Sequence, residues 1–339
     1  MKIGVVGCGQ ISDIYIENML NRFHLNVTCC AATTLEHAAV KADKYGLRAT
    51  TVDDMMQDPD IRLIVNLTPP SAHAAIIRRA FEAGKHVYTE KSLTELTQQA
   101  AELLGVARDK NLYFGCAPET FLGNAAQTAK ELIDAGELGE ITGFHAAINL
   151  NIDEMYDRFS ILLEPAGGIG LDRGIYFLTE ICYLLGHVTE ARGFSRTMNP
   201  HRTVNGRDIC IPGENQMTAA LTLENGAMGT LNFNGNTIFP ELSHTVIYGK
   251  KGILELPDAN QFGGTVRFLH RVNSGSAEWE TLPSEQTSSP NLRGIGISKM
   301  VEAIEKGLPN PVDASLGYHV MVVLSSIGKD AAVGQMISR

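Results

Sequence analysis

Short apolar runs alternate with amphipathic stretches along the first third of the chain. The runs are continuous, as in strands that are buried on both faces, and several of the intervening helical patterns end at glycine. This alternation predicts a parallel sheet that is covered by helices on both sides. The predicted strands are residues 3–6, 27–31, 61–67, 86–89 and 112–117, and the predicted helices are residues 11–20, 35–45, 72–83 and 96–110.

The pattern changes after about Pro118, and strands come to dominate. Asn225-Gly226 separates two apolar strand patterns and is a strong hairpin signal. Further strand pairs follow across Gly-rich and Ser-rich turns, and consecutive hairpins predict an antiparallel sheet. The strands expected here are 141–151, 217–223, 227–233, 246–248, 253–256, 266–270 and 278–282, with helices at 125–135, 171–185, 297–306 and 315–336.

A glycine motif lies between the first predicted strand and the first predicted helix. It reads Gly7-Cys8-Gly9-Gln10-Ile11-Ser12. The first glycine permits a tight turn, the second lets a pyrophosphate approach the backbone, and a small third residue allows close helix packing. The strand–turn–helix context is the one that this motif requires, so we expect dinucleotide binding with contacts from Gly7, Gly9, Gln10 and Ile11.

The expected fold is therefore α/β followed by α+β. Residues 1–118 form a Rossmann dinucleotide-binding domain, and residues 119–339 form an α+β domain with a mainly antiparallel open sheet for substrate binding and oligomerisation. Packing of the C-terminal helix back on the first domain is left open. An antiparallel sheet with one uncovered face needs a partner, which predicts a homodimer or homotetramer.

Composition narrows the class of protein. The chain has 339 residues, 44% hydrophobic and 19% charged, which is ordinary for two globular domains. A net charge of -10 argues against a nucleic-acid partner. No apolar run suits a signal peptide or a membrane span, and the six cysteines lack C-x-x-C spacing. We expect a cytoplasmic protein with reduced thiols and no metal site or membrane association.

The end of the second strand leaves the choice of dinucleotide open. NAD sites often place a carboxylate there to bind the ribose 2′-hydroxyl, and here that position is Ala32, followed by Thr33 and Thr34. No carboxylate repels a 2′-phosphate, and no arginine attracts one. The threonine hydroxyls can bond either group, so the expected cofactor is NAD or NADP.

Two further stretches resemble the Gfo/Idh/MocA oxidoreductases, the group of glucose–fructose oxidoreductase and inositol dehydrogenase. The first joins T-P-P-S-A-H at 68–73 to G-K-H-V-Y-T-E-K at 84–91, and the second is G-G-I-G-L-D-R-G-I-Y at 167–176. The resemblance spans essentially the whole chain. It implies that Lys91 lies where nicotinamide and substrate meet, that Glu90 lies near the nicotinamide ribose, and that Thr68, Pro69 and His73 help to bind the cofactor.

The resemblance also implies that two side chains on one helix bind the substrate. Asp172 matches the aspartate of the family, and Tyr176 stands where the family most often has histidine. A lysine hydrogen-bonded to a carbinol oxygen stabilises the developing alkoxide, and a phenol beside an ammonium can exchange the proton. Residues four apart on a helix share a face, so Asp172 and Tyr176 can both line one cleft. Asn149, Asn151 and Arg158 are weaker substrate candidates.

One departure from the family concerns the E-K-P motif, in which the lysine–proline peptide is typically cis. Here the motif is Glu90-Lys91-Ser92, and a non-proline cis bond costs about 3 kcal/mol. Ser92 therefore favours a trans peptide and a lysine that is aimed differently.

The function expected from these residues is reversible hydride transfer between a nicotinamide and a secondary alcohol or ketone of a sugar, glycoside or cyclitol. The stretch 117–123 with Gln127 resembles members that oxidise a glycoside ring hydroxyl at carbon 3. Two alternatives remain: a non-catalytic dinucleotide-binding sensor, and redox-assisted glycoside cleavage with retained NAD. The substrate, the physiological direction and the size of the oligomer are not determined by the sequence.

Overall fold

A computed structural model describes residues 1–156, 160–164, 167–238, 243–273 and 276–328. The chain divides into two compact units. The first contains Met1–Glu119 and Leu292–Tyr318, and the second contains Thr120–Asn291 and the chain from His319 onward. Within the described ranges, no helix is both long and apolar enough to cross a membrane.

The first unit is built on a six-stranded parallel sheet in the order β3-β2-β1-β4-β5-β6. Because the order reverses at β1, the loops that follow β1 and β4 flank the crevice where dinucleotides bind in such sheets. Cys29 and Cys30 are both fully buried, so both faces of the sheet are covered, as predicted. The strands are β1 (Lys2–Val6), β2 (Val27–Ala31), β3 (Arg48–Ala49), β4 (Ile61–Asn66), β5 (His86–Thr89) and β6 (Phe114–Cys116).

Five helices connect these strands: α1 (Ser12–Glu17), α2 (Leu35–Tyr45), α3 (Val52–Gln57), α4 (Pro70–Glu82) and α5 (Thr97–Asp109). The sequence predicted a single helix at 11–20, but α1 gives way to a π-helical turn, Asn18–Arg22. There the Phe23 N–H donates to the Asn18 carbonyl, and the Asn18 side chain donates to the Arg293 carbonyl. Arg293 lies far from Asn18 in the sequence, so no local pattern predicts this contact. The elements β3 and α3, which were not predicted, are too short to show a period.

The second unit contains an eight-stranded sheet in the order β16-β15-β14-β13-β7-β12-β11-β8. Every neighbouring pair is antiparallel except β7 with β12, so the predicted mainly antiparallel sheet is confirmed. The predicted turn at Asn225-Gly226 joins β11 to β12, with Gly226 at φ 84°. Its helices are α6 (Asn124–Asp134), α7 (Ile175–Leu185) and α8 (Ser284–Thr287).

The strands of this sheet are β7 (Ile141–Asn149), β8 (Val188–Arg196), β11 (Gln216–Leu223), β12 (Met228–Asn234), β13 (His244–Gly249), β14 (Gly252–Leu256), β15 (Arg267–Asn273) and β16 (Ser276–Thr281). A separate two-stranded sheet consists of β9 (His201–Val204) and β10 (Arg207–Cys210). Burial alternates along β11 and β12, and this leaves one face of the large sheet exposed.

The predicted division at residue 118 needs one correction, because Leu292–Tyr318 belongs to the first unit. This segment contains α9 (Ile295–Lys306) and the start of α10 (Ala314–Ser326). It extends the edge of the parallel sheet, where the Cys116 N–H donates to the Val312 carbonyl at 3.0 Å. The predicted final helix spanned 315–336, and residues 329–339 lie outside the described part of the chain.

Candidate active site

The glycine turn follows β1 and is shaped by contact with the loop after β4. Gly7 has φ 105°, and a Cβ there would lie 2.5 Å from the Leu67 carbonyl carbon, so only glycine fits. At Gly9 a Cβ would meet nothing within 4 Å. A side chain would therefore clash at Gly7, whereas the space at Gly9 is empty. This empty space lets a pyrophosphate approach the backbone.

The residues that complete the turn occupy different environments. Gln10 and Ile11 are exposed, whereas Ser12 is fully buried and its hydroxyl donates to the Gly9 carbonyl at 2.6 Å. At the end of β2, Thr33 is exposed and the Thr34 hydroxyl caps α2 by accepting the His37 N–H at 3.3 Å. Both predicted threonine contacts with the cofactor stay predictions.

A buried asparagine that the sequence analysis missed orders the loop after β4. Asn66 is fully buried, its Oδ1 accepts from the Thr68 hydroxyl at 2.7 Å, and its Nδ2 donates to the Thr89 hydroxyl at 3.1 Å. Its carbonyl accepts the Glu90 N–H at 2.9 Å. Asn66 thus links the Thr68–Pro69 loop to the strand that leads into Lys91. The signal in the sequence was a polar residue within the apolar run I-R-L-I-V-N-L.

Glu90 joins the lysine segment to the helix that follows the glycine turn. Its Oε1 accepts the Tyr15 hydroxyl at 2.6 Å, and its Oε2 accepts the Lys91 backbone N–H at 3.0 Å. Tyr15 and Glu90 are 1% and 8% exposed, whereas Lys91 is half-buried. Burial, together with the nearby Glu119 and Glu90 carboxylates, holds the pKa of the Tyr15 phenol well above its usual value, so the phenol remains a donor.

The peptide between Lys91 and Ser92 is cis, so the expectation of a trans peptide at this position was wrong. The groups around it are held by contacts that a local pattern does not reveal. Ser92 is 2% exposed, and its carbonyl lies 2.7 Å from Nδ1 of His73.

His73 lies in the first turn of α4 and is 0% exposed. Its Nε2 lies 2.7 Å from the Thr68 carbonyl, and its Nδ1 faces the Ser92 carbonyl. Burial lowers the pKa of the imidazole. The sequence predicted that His73 binds the cofactor, but the imidazole presents no accessible surface to a ligand and instead contacts the backbone of two loops.

A second buried carboxylate lies deeper in the first unit and was also missed. Glu119 accepts the Tyr88 hydroxyl and the backbone N–H groups of Gly294 and Gly296, the last at 3.0 Å. Burial raises the pKa of this carboxyl to about 7. Since Tyr88 lies on β5 and the two backbone donors lie in the returning segment, Glu119 fastens Leu292–Tyr318 to the parallel sheet.

The two predicted substrate residues lie together in the second unit. Asp172 is half-buried in a π-helical turn, Gly170–Gly174, and Tyr176 is 7% exposed at the start of α7. The sequence predicted one helix over 171–185, and the π turn is a correction to it. The Gly170 N–H donates to the Glu214 carboxylate at 3.1 Å, and Gly174 packs so closely on Phe233 that a Cβ would lie 2.3 Å from the ring.

The weaker candidates have local roles. The Asn151 side chain accepts the Asp153 N–H and donates to Glu154, which caps a short 3₁₀ turn. The Asn149 N–H donates to the Ser243 hydroxyl at 3.2 Å. Arg158 lies outside the described residues. The structure therefore brings together Gly7, Gly9, Thr68, His73, Glu90 and Lys91 in the first unit, and Asp172 and Tyr176 in the second.

A parallel sheet with a glycine turn at its switch point, followed by an antiparallel α+β unit, defines the class of two-domain oxidoreductases with a Rossmann fold. A model of the oxidoreductase family with an NAD-binding Rossmann fold matches residues 1–117, and the GFO/IDH/MocA C-terminal domain matches residues 126–255. The chain belongs to the Gfo/Idh/MocA oxidoreductase family. The predicted family and fold class are confirmed, and the predicted nicotinamide dinucleotide and enzyme class agree with this family.

Individual relatives act on sugars and cyclitols. The chain is 32% identical over 215 residues to a dTDP-3,4-didehydro-2,6-dideoxy-alpha-D-glucose 3-reductase of Streptomyces violaceoruber, a match that spans 62% of the chain and 60% of that relative. It is 21% identical over 335 residues to scyllo-inositol 2-dehydrogenase (NAD(+)) of Bacillus subtilis, which covers 96% and 93% of the two chains.

The fold is also that of levoglucosan dehydrogenase, whose structure was solved in complex with NADH. The TM-score is 0.85 at 19% identity, over 96% of this chain and 95% of that one. At this identity, the likeness shows the fold.

Proposed function

We propose that the protein is an NAD(P)-dependent dehydrogenase or reductase that acts on a secondary alcohol or ketone of a sugar, glycoside or cyclitol. The observation that carries this proposal is the Glu90 carboxylate, which bonds Tyr15 on the helix after the glycine turn and the Lys91 backbone N–H. This places the predicted catalytic lysine in a segment that is fastened to the predicted dinucleotide turn.

The residues of the first unit fit a dinucleotide. The open backbone above Gly9 leaves room for a pyrophosphate, and the amides at the start of α1 suit its negative charge. When bound, the nicotinamide would accept or donate a hydride. The side chains of Gln10, Ile11 and Thr33 are exposed, and Thr68 and Pro69 flank the same crevice, so these residues would hold the dinucleotide.

Lys91 would donate a hydrogen bond to the substrate oxygen. In the oxidative direction, that oxygen loses its proton while the carbinol carbon loses a hydride, and a positive ammonium stabilises the alkoxide that develops. Glu90 accepts the Lys91 backbone N–H and so holds the segment that carries the lysine side chain. Asp172 would orient a second hydroxyl of the substrate, and the Tyr176 phenolate–phenol pair would take up and return the proton.

The names of two relatives support particular choices of substrate. The expectation that the ring hydroxyl at carbon 3 reacts is supported by the 3-reductase of Streptomyces violaceoruber, which acts on a nucleotide-linked hexose. The scyllo-inositol dehydrogenase supports a cyclitol as the other candidate. Neither the sensor alternative nor redox-assisted glycoside cleavage gains support from the site or from these relatives.

The test is a panel of free sugars, glycosides, nucleotide-linked sugars and cyclitols, each with NAD⁺ and NADP⁺, followed at about 340 nm where the reduced nicotinamide absorbs. Lys91→Ala should lower kcat by at least about a thousandfold. Lys110→Ala is the matched control, because Lys110 is an exposed lysine at the end of α5 in the same unit. Turnover that is indifferent to Lys91→Ala would overturn the proposed role of this lysine.

The open face of the large sheet supports the predicted homo-oligomer. Register places Met228, Gly143, Tyr248, Ile253, Leu269 and Trp279 side by side across the sheet. Three of these are large side chains with 62%, 39% and 43% of their surface exposed, namely Met228, Tyr248 and Trp279. An exposed apolar row of this size favours a second copy of the chain as its cover. All six cysteines are free thiols, which agrees with the predicted cytoplasmic location.

A further inference from the structure

The buried His73 side chain contacts two loops of the candidate active site. Its Nε2 is 2.7 Å from the Thr68 carbonyl oxygen, and its Nδ1 is 2.7 Å from the Ser92 carbonyl oxygen. The imidazole is 0% exposed. Both partners are therefore backbone acceptors, and they belong to two segments that are predicted to meet the cofactor and the substrate.

The two contacts can both be hydrogen bonds in only one protonation state of the ring. A carbonyl oxygen only accepts hydrogen bonds, and a neutral imidazole carries one N–H and one lone pair. In the neutral form, one ring nitrogen would direct its lone pair at an oxygen only 2.7 Å away. Both contacts are satisfied only when both nitrogens carry hydrogen, and this is the imidazolium.

Electrostatics acts on the ring in both directions. Burial lowers the pKa of the imidazole, while the hydrogen bonds to Thr68 and Ser92 and the nearby Glu90 carboxylate raise it. Glu90 is the charged side chain that acts on the ring from the lysine segment, and it carries the sign that stabilises an imidazolium. Burial is the largest of these effects, so the pKa of the imidazole lies below its usual value and the ring is neutral at pH 7. In this form one ring nitrogen donates to its carbonyl, and the other contact gains its hydrogen only when the ring is protonated.

The ring also completes a set of contacts around the lysine backbone. On the N-terminal side, the Glu90 N–H donates to the Asn66 carbonyl, and the Lys91 N–H donates to the Glu90 carboxylate. On the C-terminal side, the Ser92 carbonyl is held by His73. An ångström-scale displacement of a catalytic group can cost about a hundredfold in rate, so the hold on both sides of Lys91 matters for chemistry.

We propose that His73 is a positioning residue that ties the Thr68–Pro70 turn to Ser92 and so sets the position of the Lys91 side chain. The effect on catalysis rests on the function proposed above, whereas the link between the two loops does not. His73 supplies neither a proton nor a ligand contact. It acts through the backbone on either side of the site.

The protonation state is measured on the wild-type protein. In a long-range ¹H–¹⁵N spectrum at pH 7, His73 should show one protonated and one unprotonated ring nitrogen, with a ring N–H that exchanges slowly with water, and His73→Gln assigns the signal by its loss. His86 is the internal control, because its Nδ1 accepts the Tyr113 N–H at 3.0 Å and burial lowers its pKa to about 4, so its ring is neutral. A His73 ring N–H that exchanges rapidly with water would show that the ring is not held between the two carbonyls and would overturn the inference.

The positioning role is measured by separating turnover from binding. His73→Gln keeps one donor, and His73→Phe keeps none. We expect kcat to fall about tenfold in the first and about a hundredfold in the second, while the Kd for NADH changes by less than about threefold. Wild-type kcat in both variants would refute the positioning role. A failure of the proposed function would look different: the wild-type protein would turn over no substrate, and the slowly exchanging N–H signal of His73 would persist.

Discussion

The Tyr15 phenol donates a 2.6 Å hydrogen bond to Oε1 of Glu90, and both side chains are almost completely buried. Tyr15 lies on the helix that follows the glycine turn, and Glu90 precedes the predicted catalytic lysine. The two motifs that the sequence shows as separate are therefore joined by one side-chain contact inside the first unit.

Removal of this donor should weaken both the fold and the site. Tyr15→Phe leaves the Glu90 carboxylate buried with one donor fewer, which should lower the free energy of unfolding by about 1–3 kcal/mol. We expect kcat to fall more than the affinity for NADH, since Glu90 also holds the Lys91 N–H. Chemical denaturation and steady-state kinetics measure the two effects. Tyr113→Phe is the control, because it removes a hydroxyl that bonds only backbone carbonyls in the same unit.

The two glycines of the turn should respond differently to the same added methyl group. Gly7→Ala meets the backbone of Leu67 and an unfavourable φ, so it should destabilise the protein by about 2 kcal/mol or more. Gly9→Ala meets nothing and should leave the melting temperature unchanged, yet it should weaken NADH binding by at least about tenfold. Thermal melts and fluorescence titration measure these effects. Normal binding by Gly9→Ala would show that the pyrophosphate lies elsewhere.

Cys8 lies between these glycines and is half-buried, which makes it a probe of the same surface. A hydrogen bond from the Cys30 thiol lowers the pKa of the Cys8 thiol, which favours the reactive thiolate. We expect iodoacetamide to label Cys8, and saturating NAD⁺ to slow the labelling by at least about tenfold. Cys210 is exposed on β10 and should be labelled at the same rate with or without the dinucleotide. Peptide mass spectrometry separates the two sites, and equal protection of both would argue against binding at the turn.

Glu180 should make stability depend on pH. It is buried in α7, its Oε2 accepts the Thr245 hydroxyl at 2.9 Å, and burial raises its pKa to about 8 from 4.5. The folded protein therefore binds this proton more tightly than the unfolded chain does, so the free energy of unfolding falls as pH rises from 4.5 to about 8. Glu180→Gln should remove on the order of 5 kcal/mol of this dependence.

Urea denaturation of Glu180→Gln at several pH values tests this, with exposed Glu131→Gln on α6 as the control. At alkaline pH, we expect a higher free energy of unfolding for Glu180→Gln than for the wild type. Parallel profiles for the wild type and Glu180→Gln would show that this carboxyl does not titrate across the range.

The exposed apolar row should hold copies of the chain together. Met228→Glu and Tyr248→Glu place charges on the open face, so we expect light scattering to show a smaller assembly than for the wild type. Val40→Glu changes an equally apolar, 72% exposed residue on α2 of the first unit and should leave the assembly unchanged. A wild-type protein that is already monomeric would contradict the predicted oligomer.

Continuous patterns in the sequence predicted most of the fold. Hydrophobic runs in the sequence predict the buried strands, and the turn residues Asn225-Gly226 predict the hairpin. Both sheets are built from these elements. The π turn at Asn18–Arg22 and the return of α9 to the first unit could not be predicted from a local pattern. Each depends on a partner that is far away in the sequence.

The same distinction applies to the candidate site. Gly7, Gly9, Glu90 and Lys91 belong to contiguous motifs and could be named in advance. The roles of Tyr15, Asn66 and Glu119 depend on bonds between residues that are 75, 23 and 175 positions apart, so no local signal reveals them. The sequence named His73 near the cofactor, but it could not show that the imidazole is buried between two backbone carbonyls, since burial depends on the whole fold.

The bond between Glu119 and the Gly294 N–H has a practical consequence for dissecting the molecule. The chain leaves the first unit at Glu119 and returns to it at Leu292, and the bond from Gly294 brings these two points of the first unit together. A fragment that stops near residue 118 would lose Glu119 and its two backbone donors, and would leave the Tyr88 hydroxyl without its acceptor. A short glycine–serine bridge from Glu119 directly to Leu292 should instead yield a minimal nucleotide-binding protein that folds alone.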